Sequence, residues 1–311
     1  MDTVKEVVSV SLGSSVRDHV VEIELLGERF RLTREGFDGD TRRAADRLEL
    51  LDGQVDALSL GGIDRYLRAA GRDYHFRATR KLAARVHETP LVCGAAIKGP
   101  LEHAAVRYMT ETLGLDLAGK RVLVTSAVDR YGLAEGFHEA GCAMAYGDLL
   151  FALGFPVLIR DKVTLDRTIR VVAPIAAQLP FSWLYPTGAA QDRPPSVKRA
   201  HLYDEFDIIA GDYQYVRAFM PTDMTGKWVV TNTTTASDVE FLRDRGVGLL
   251  VTTTPRLGGR SFGTNVIEAA LVAHAGAPAE LTTDEYLRLI AEAEIRPDAR
   301  WLQGSNGVIQ G

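Results

Sequence analysis

The chain is poor in cysteine: two thiols, Cys93 and Cys142, among 311 residues, each inside an apolar run. So few thiols exclude a disulfide framework, and buried free thiols suit a reducing compartment. No group of cysteines and histidines has metal-ligand spacing, so no metal site is expected. Excess positive charge is also missing. Lys and Arg number 36 against 41 Asp and Glu, a formal net charge of -5. That removes the electrostatic case for nucleic acid or an anionic membrane surface as partner. The local arginines, Arg42, Arg43, Arg47 and Arg65, Arg68, Arg72, read as solvated helix faces. No apolar run approaches a membrane span. The start, MDTVKEVVSV, lacks the basic residues and apolar core of a signal peptide. A cytoplasmic protein with a small-molecule partner is the expectation.

What is present is an ordinary globular composition, 46% hydrophobic and 25% charged, in a chain long enough for two domains. The pattern predicts α/β architecture throughout. Residues 1–115 read as an α/β substrate domain, with strands Val7–Leu12, His19–Leu25, Arg29–Thr33, Val55–Leu60 and Leu91–Ala95. Helices are expected at Thr41–Leu51, Thr79–Val86 and Gly99–Leu113, the last opened by Pro100. Residues 116–311 read as a Rossmann-like domain with a C-terminal tail. Its expected strands are Arg121–Ser126, Cys142–Gly147, Ser182–Tyr185, Asp207–Gly211, Trp228–Thr231 and Gly248–Thr252. Crossovers between them imply a doubly wound parallel six-stranded sheet, with order 3-2-1-4-5-6 as the default. Ile267–His274 reads as a further helix on that sheet. The polar tail after Ala299 is expected to be loosely ordered or to dock on a partner subunit, as in a homodimer.

The stretch Gly119–Asp148 has the layout of a dinucleotide-binding βαβ unit: strand, tight turn, helix, strand, then an acid about 20 residues past the turn. Here glycine is what the sequence lacks. Of the usual fingerprint only Gly132 survives, with Ser126 and Val128 in the other places. The turn Ser126, Ala127, Val128, Asp129, Arg130 is expected to face a pyrophosphate through main-chain N–H groups, with Arg130 on a phosphate. Asp129 has an alternative as a helix cap. Asp148 is expected on the adenosine ribose, which favours NAD over NADP; its alternative is a cap for the apolar stretch that follows. In such a sheet ligands bind beyond the carboxyl ends of the strands. Those ends carry Thr187, Thr231, Asn232, Thr233, Ser261 and Asn265, hydroxyl and amide groups suited to a sugar or polyol, with Thr231, Asn232 and Thr233 expected on the cofactor, and the carboxylate of Asp212. The competing explanation is that threonine is simply a good strand residue. Lys98, beside Gly99 before a helix, is the expected proton donor or acceptor. Asp64 and Asp212 are its expected partners. His19, His75, His103 and His201 read as structural or exposed.

On the motifs SLGSS, VDALSLGGID, SAVDRYG, GDLLFALGFP, YPTG, TNTTT and GRSFGTNV, the chain resembles the shikimate/quinate dehydrogenase group, and within it bacterial proteins labelled quinate 5-dehydrogenase. The resemblance implies a substrate domain followed by a NAD(P) domain. It also implies an N-terminal serine motif holding substrate hydroxyls, here Ser11, Ser14 and Ser15, and a catalytic lysine, here Lys98. The partner aspartate of an N-T-D motif is missing. The expectation is therefore an enzyme: an NAD-dependent oxidoreductase acting on a secondary alcohol or ketone of a hydroxylated ring acid. Ser14, Ser15, Thr187, Ser261 and Asn265 would hold the substrate. Two alternatives stand beside it: a lyase or isomerase using tightly held NAD without net redox, and a ligand-binding protein without the catalytic set.

Overall fold

A computed structural model describes residues 4–179, 197–257, 260–261 and 263–303. The chain divides into two compact units, each made of several segments. The first is Met1–Lys98, Val172–Asp192 and Phe262–Ile295. The second is Gly99–Val171, Arg193–Ser261 and Arg296–Gly311. The break thus falls at Lys98, ahead of the expected boundary at 115, and later segments return to each unit.

The first unit opens with β1 (Lys5–Ser11), β2 (His19–Leu25) and β3 (Glu28–Gly36). Leu26 and Gly27, with φ of 52° and 74°, make the two-residue hairpin turn between β2 and β3. Helix α1 (Thr41–Leu51) starts where Asp40 accepts the N–H groups of Arg42 and Arg43, and it buries Ala44, Leu48 and Leu51. Then come β4 (Ala57–Gly61), β5 (Tyr66–Ala69), β6 (Arg72–His75), α2 (Arg77–Ala83) and β7 (Leu91–Val92). The β5–β6 hairpin turns at Ala70-Gly71 and was not predicted, because its turn carries no Asn-Gly or Asp-Gly signal. The main sheet runs β2-β3-β1-β4-β7. β1 is parallel to β3 and β4, and β4 to β7; β2 alone is antiparallel. All of β4 is buried, as strands covered on both faces are.

Helix α3 (Ala95–Arg107) begins directly after Gly94, ahead of the expected start at Gly99, so Pro100 lies inside it and not in its first turn. It ends in a π-helical turn, Tyr108–Thr112. The second unit then builds β8 (Arg121–Val124), α4 (Tyr131–Glu139), β9 (Ala143–Tyr146), α5 (Asp148–Phe151) and α6 (Lys162–Ala176). The expected strand Ser182–Tyr185 lies outside the described residues. A 3-10 segment, Val197–Glu205, precedes β10 (Ile208–Ala210), α7 (Tyr213–Ala218), β11 (Trp228–Thr231), α8 (Ala236–Asp244) and β12 (Leu249–Thr252). The short pair β13 (Arg256–Leu257) and β14 (Arg260–Ser261) follows.

The chain then returns to the first unit with α9 (Thr264–Ala275) and α10 (Thr283–Glu292), and ends the described fold with β15 (Asp298–Trp301). Two expectations are corrected here. Helix α9 packs on β1, β3, β4 and β7 of the first sheet, not on the second. Every residue from Val266 to Ala273 is buried, and the Asn265 amide donates to the buried Ser9 and Ser59 hydroxyls at 2.8 and 3.0 Å. The second sheet runs β15-β12-β11-β10-β8-β9; the five expected strands that are described stand in the expected order 2-1-4-5-6, the expected third strand lies outside the described residues, and β15 is an added antiparallel strand beyond β12. Its sixth strand, β15, takes in Arg300 and Trp301 of the tail expected to be loose or to dock on a partner subunit, and pairs antiparallel with β12. Trp301 also meets Trp228 edge-on at 6.4 Å. Mixed α/β architecture with parallel sheets in two units stands. Among the described residues no helix is long and apolar enough to cross a membrane.

Candidate functional site

In the second unit the chain crosses from β8 to β9 on one side and continues through β10, β11 and β12 on the other. The switch point is therefore between β8 and β10, where an open parallel sheet leaves a crevice beyond its carboxyl ends. The turn after β8 supplies Ser126, Asp129 and Arg130, the end of β10 supplies Asp212, and the end of β11 supplies Thr231, Asn232 and Thr233.

These side chains form one network around a buried guanidinium. Arg130, 6% exposed, reaches Asp212 at 2.7 Å, Asp129 at 3.2 Å and Glu102 at 3.4 Å. Asp212 also accepts from the Asn232 amide at 2.9 Å, and its own N–H donates to the Ser126 hydroxyl at 3.1 Å. The Asn232 carbonyl oxygen accepts the Tyr213 N–H at 3.1 Å, and Thr231 donates to the Gly211 carbonyl at 2.9 Å. Burial works against the Arg130 charge, but Asp129, Asp212 and Glu102 outweigh it and hold the guanidinium protonated well above its ordinary range. Tyr215 is kept protonated by burial first and then by the charges of Asp129, Asp212 and Asp148. Carboxylates thus outnumber cations at this crest.

The turn expected to hold a pyrophosphate is already filled. The Asp148 carboxylate accepts the Ala127 N–H at 3.0 Å and the Val128 N–H at 2.9 Å. Burial pushes this carboxyl up to about 6; the two N–H bonds pull it down and the Asp129 charge pushes it up. It is anionic at neutral pH and bound to the donors a phosphate would need. The residues of this turn do not fit a dinucleotide, and Asp148 is not free for a ribose. Gly132 has a packing reason: a Cβ there would lie 2.7 Å from the Gly99 carbonyl oxygen and 2.9 Å from Glu102. It lets α4 approach α3.

The remaining predicted residues are in the first unit or beyond description. Lys98 donates to Asp64 at 2.6 Å, both largely buried, so these two are brought together, while Asp212 belongs to the second unit. Ser14 caps the 3-10 turn Ser15–Arg17 by accepting the Val16 N–H at 3.3 Å, and the Ser15 hydroxyl donates to Asp38 at 2.8 Å. Asn265 is spent on docking α9. Ser261 lies in β14, and Thr187 lies outside the described residues. Sequence reasoning missed Glu102, 1% exposed on α3, which also accepts the Leu133 N–H at 3.2 Å. Its only signal was a lone acid beside the apolar Leu101, Ala105 and Val106. Among the described residues no group of His, Cys, Asp and Glu could hold a metal ion.

Comparison with known proteins gives no curated protein as a match. Solved structures that are similar include a Mycobacterium smegmatis protein in complex with β-D-fucofuranose, at TM-score 0.38 and 11% identity, covering 94% of this chain and 97% of that one. A Caulobacter myo-inositol binding protein has TM-score 0.38 and 14% identity, covering 94% and 92%. A Thermus thermophilus glutamate dehydrogenase has TM-score 0.45 and 12% identity, covering 94% and 73%. At these scores no ligand or activity carries over. The expected kinship with the shikimate/quinate dehydrogenase group is corrected: the similar structures are largely sugar- and polyol-binding proteins, and none of those named is a quinate or shikimate dehydrogenase. The oxidoreductase reading, and with it the assignment as an NAD enzyme, falls for the same reason; the Asp148 carboxylate on the turn is its physical counterpart. Residues 6–93 match a model described as Domain of unknown function (DUF8753). Residues 96–302 match a second, and the chain belongs to the family it defines, Domain of unknown function (DUF8754).

Proposed function

We propose that the chain is a non-catalytic binding protein for a neutral, hydroxyl-bearing small molecule, held outside the carboxyl ends of β8, β10 and β11. The observation that carries this reading is Asp148 seated on the Ala127 and Val128 N–H groups, which closes the turn to an anionic ligand. What remains at the crest is polar and anionic. Asp212 keeps a side chain 14% exposed, and a carboxylate has about four lone-pair sites, so it can accept ligand hydroxyls beyond its bonds to Arg130 and Asn232. Ser126, Asn232 and Thr233 add neutral donors and acceptors beside it. Arg130 serves as a brace, because its charge is consumed by three acids. We place the protein in the cytoplasm on its two buried free thiols, Cys93 and Cys142.

Thermal unfolding of the purified chain with neutral sugars and polyols, carboxylated rings and nicotinamide dinucleotides tests this. Neutral polyhydroxylated compounds are expected to raise Tm saturably. Asp212→Asn is expected to weaken that binding about tenfold, the loss of one charge-assisted hydrogen bond. A response to dinucleotides alone, or one indifferent to Asp212, would sink the reading.

A further inference from the structure

The two edges of the second sheet are finished differently. At the β9 edge the chain folds back: Tyr146 and Ile159 exchange both main-chain hydrogen bonds, at 2.7 and 3.1 Å. At the other edge β15 stands outermost beside β12, and among the described residues no strand pairs with its outer side. All of Asp298–Trp301 is half-buried. Unpaired main-chain groups on an outer strand are a template for another strand.

The ladder fixes which groups these are. Leu302 donates its N–H to the Gly248 carbonyl at 2.9 Å, and bonded pairs alternate along an antiparallel ladder. Leu250 stands opposite Arg300 and Thr252 opposite Asp298, so the main chain of Arg300 and of Asp298 turns toward β12. The N–H and C=O groups of Ala299 and Trp301 therefore turn outward. Pro297, just ahead, has no N–H to offer at the edge, but its carbonyl can accept. Side chains alternate between the faces of a strand, which puts Asp298 and Arg300 on one face and Ala299 and Trp301 on the other. Asp298 and Arg300 pair with each other at 2.9 Å, each with its side chain about a third exposed.

We propose that β15 pairs antiparallel with β15 of a second copy of this chain, about a twofold axis at Ala299. Charge selects that register. With the axis at Ala299, each Asp298 faces the Arg300 of the other copy, on one face of the joined sheets. Each Ala299 donates to and accepts from its counterpart, and each Trp301 N–H meets a Pro297 carbonyl. On the second face the Trp301 ring lies across from the Pro297 ring. An axis at Asp298 or at Arg300 would set like charges directly opposite, which destabilises a strand pair. An axis at Trp301 would put Leu302 opposite Arg300 and leave the charges unmatched. The edge is thus complementary to itself, and a strand of other sequence would match its main chain without matching its charges. So short an edge makes a weak, concentration-dependent dimer.

Sedimentation of the whole chain over a range of concentrations tests this. A reversible monomer–dimer equilibrium is expected. Asp298→Arg and Arg300→Asp each set like charges across the axis, and each is expected to weaken dimerisation about tenfold or more. An equimolar mixture of the two variants is expected to form a mixed dimer about as tightly as the parent, because every charged pair across its axis is again of opposite sign. That recovery also shows that both variants fold. A chain that stays monomeric throughout, whose edge is then covered from within, overturns the proposal. So do single variants that dimerise as the parent does, or a mixture in which no dimer returns.

Discussion

Glu268 shows how strongly one position can be set by its surroundings. It is fully buried on α9, where the Tyr286 hydroxyl donates to one carboxyl oxygen at 2.8 Å and the Gly94 N–H donates to the other. Burial pushes its pKa from 4.5 up to about 7; the Tyr286 and Gly94 bonds pull it down, and the charges of Glu280 and Asp64 push it up. The folded state therefore binds more protons than the unfolded chain between these two values. Stability contributed by the protonated carboxyl is complete below about pH 4.5 and declines as pH rises toward about 7. Glu268→Gln is expected to remove that decline, a change of about 3 kcal/mol across the window, read from urea unfolding at successive pH values. A variant with the same pH slope as the parent would refute this. Nothing in the sequence marked Glu268: it sits at a helical position in an apolar run, and only the fold reveals which N–H and O–H reach it.

At the scale of elements, turns and helix starts decide where side chains go. The β7–α3 connection turns at Gly94, with φ of 89°, and a Cβ there would lie 2.6 Å from both the Asn265 N–H nitrogen and the Thr264 hydroxyl. The turn and the start of α9 are therefore in direct contact. Gly94→Ala is expected to cost about 2 kcal/mol or more through backbone strain and displacement of α9, measured by chemical denaturation; an unchanged midpoint would show that the contact is not needed. Local reading was accurate where local chemistry sets the element. Strand β2 (His19–Leu25), helix α1 (Thr41–Leu51) and strand β11 (Trp228–Thr231) were each predicted with their observed bounds. It failed at α3, where the proline suggested a start that Gly94 places further upstream, and at β5–β6, whose Ala-Gly turn gives no strong signal.

At the scale of the molecule, each unit is assembled from distant stretches of chain. The first sheet depends on α9, whose buried run Val266–Ala273 covers β1, β3, β4 and β7. A fragment ending at Lys98 lacks that cover. It is expected to unfold without cooperativity, and joining residues 262–295 to it through a flexible linker is expected to restore a sharp transition, followed by circular dichroism. A cooperative transition in the short fragment alone would refute this. The second unit is closed in a comparable way by β15, whose Asp298–Trp301 pair with β12 from the far end of the chain.

The sequence by itself determined the α/β class, the parallel sheets, and the set of polar residues at the ends of β8, β10 and β11. These follow from alternation, helical spacing and strand ends, which depend on neighbours a few residues apart. Only the tertiary structure decided what those residues do. Asp148 reads as a ribose partner by its distance from the turn, yet the crossover brings it back onto the turn's own N–H groups. Arg130 reads as a phosphate ligand, yet Glu102 and Asp212, from α3 and the end of β10, consume its charge. Charge pairing and hydrogen bonding act through space, between residues whose separation along the chain carries no periodic signal.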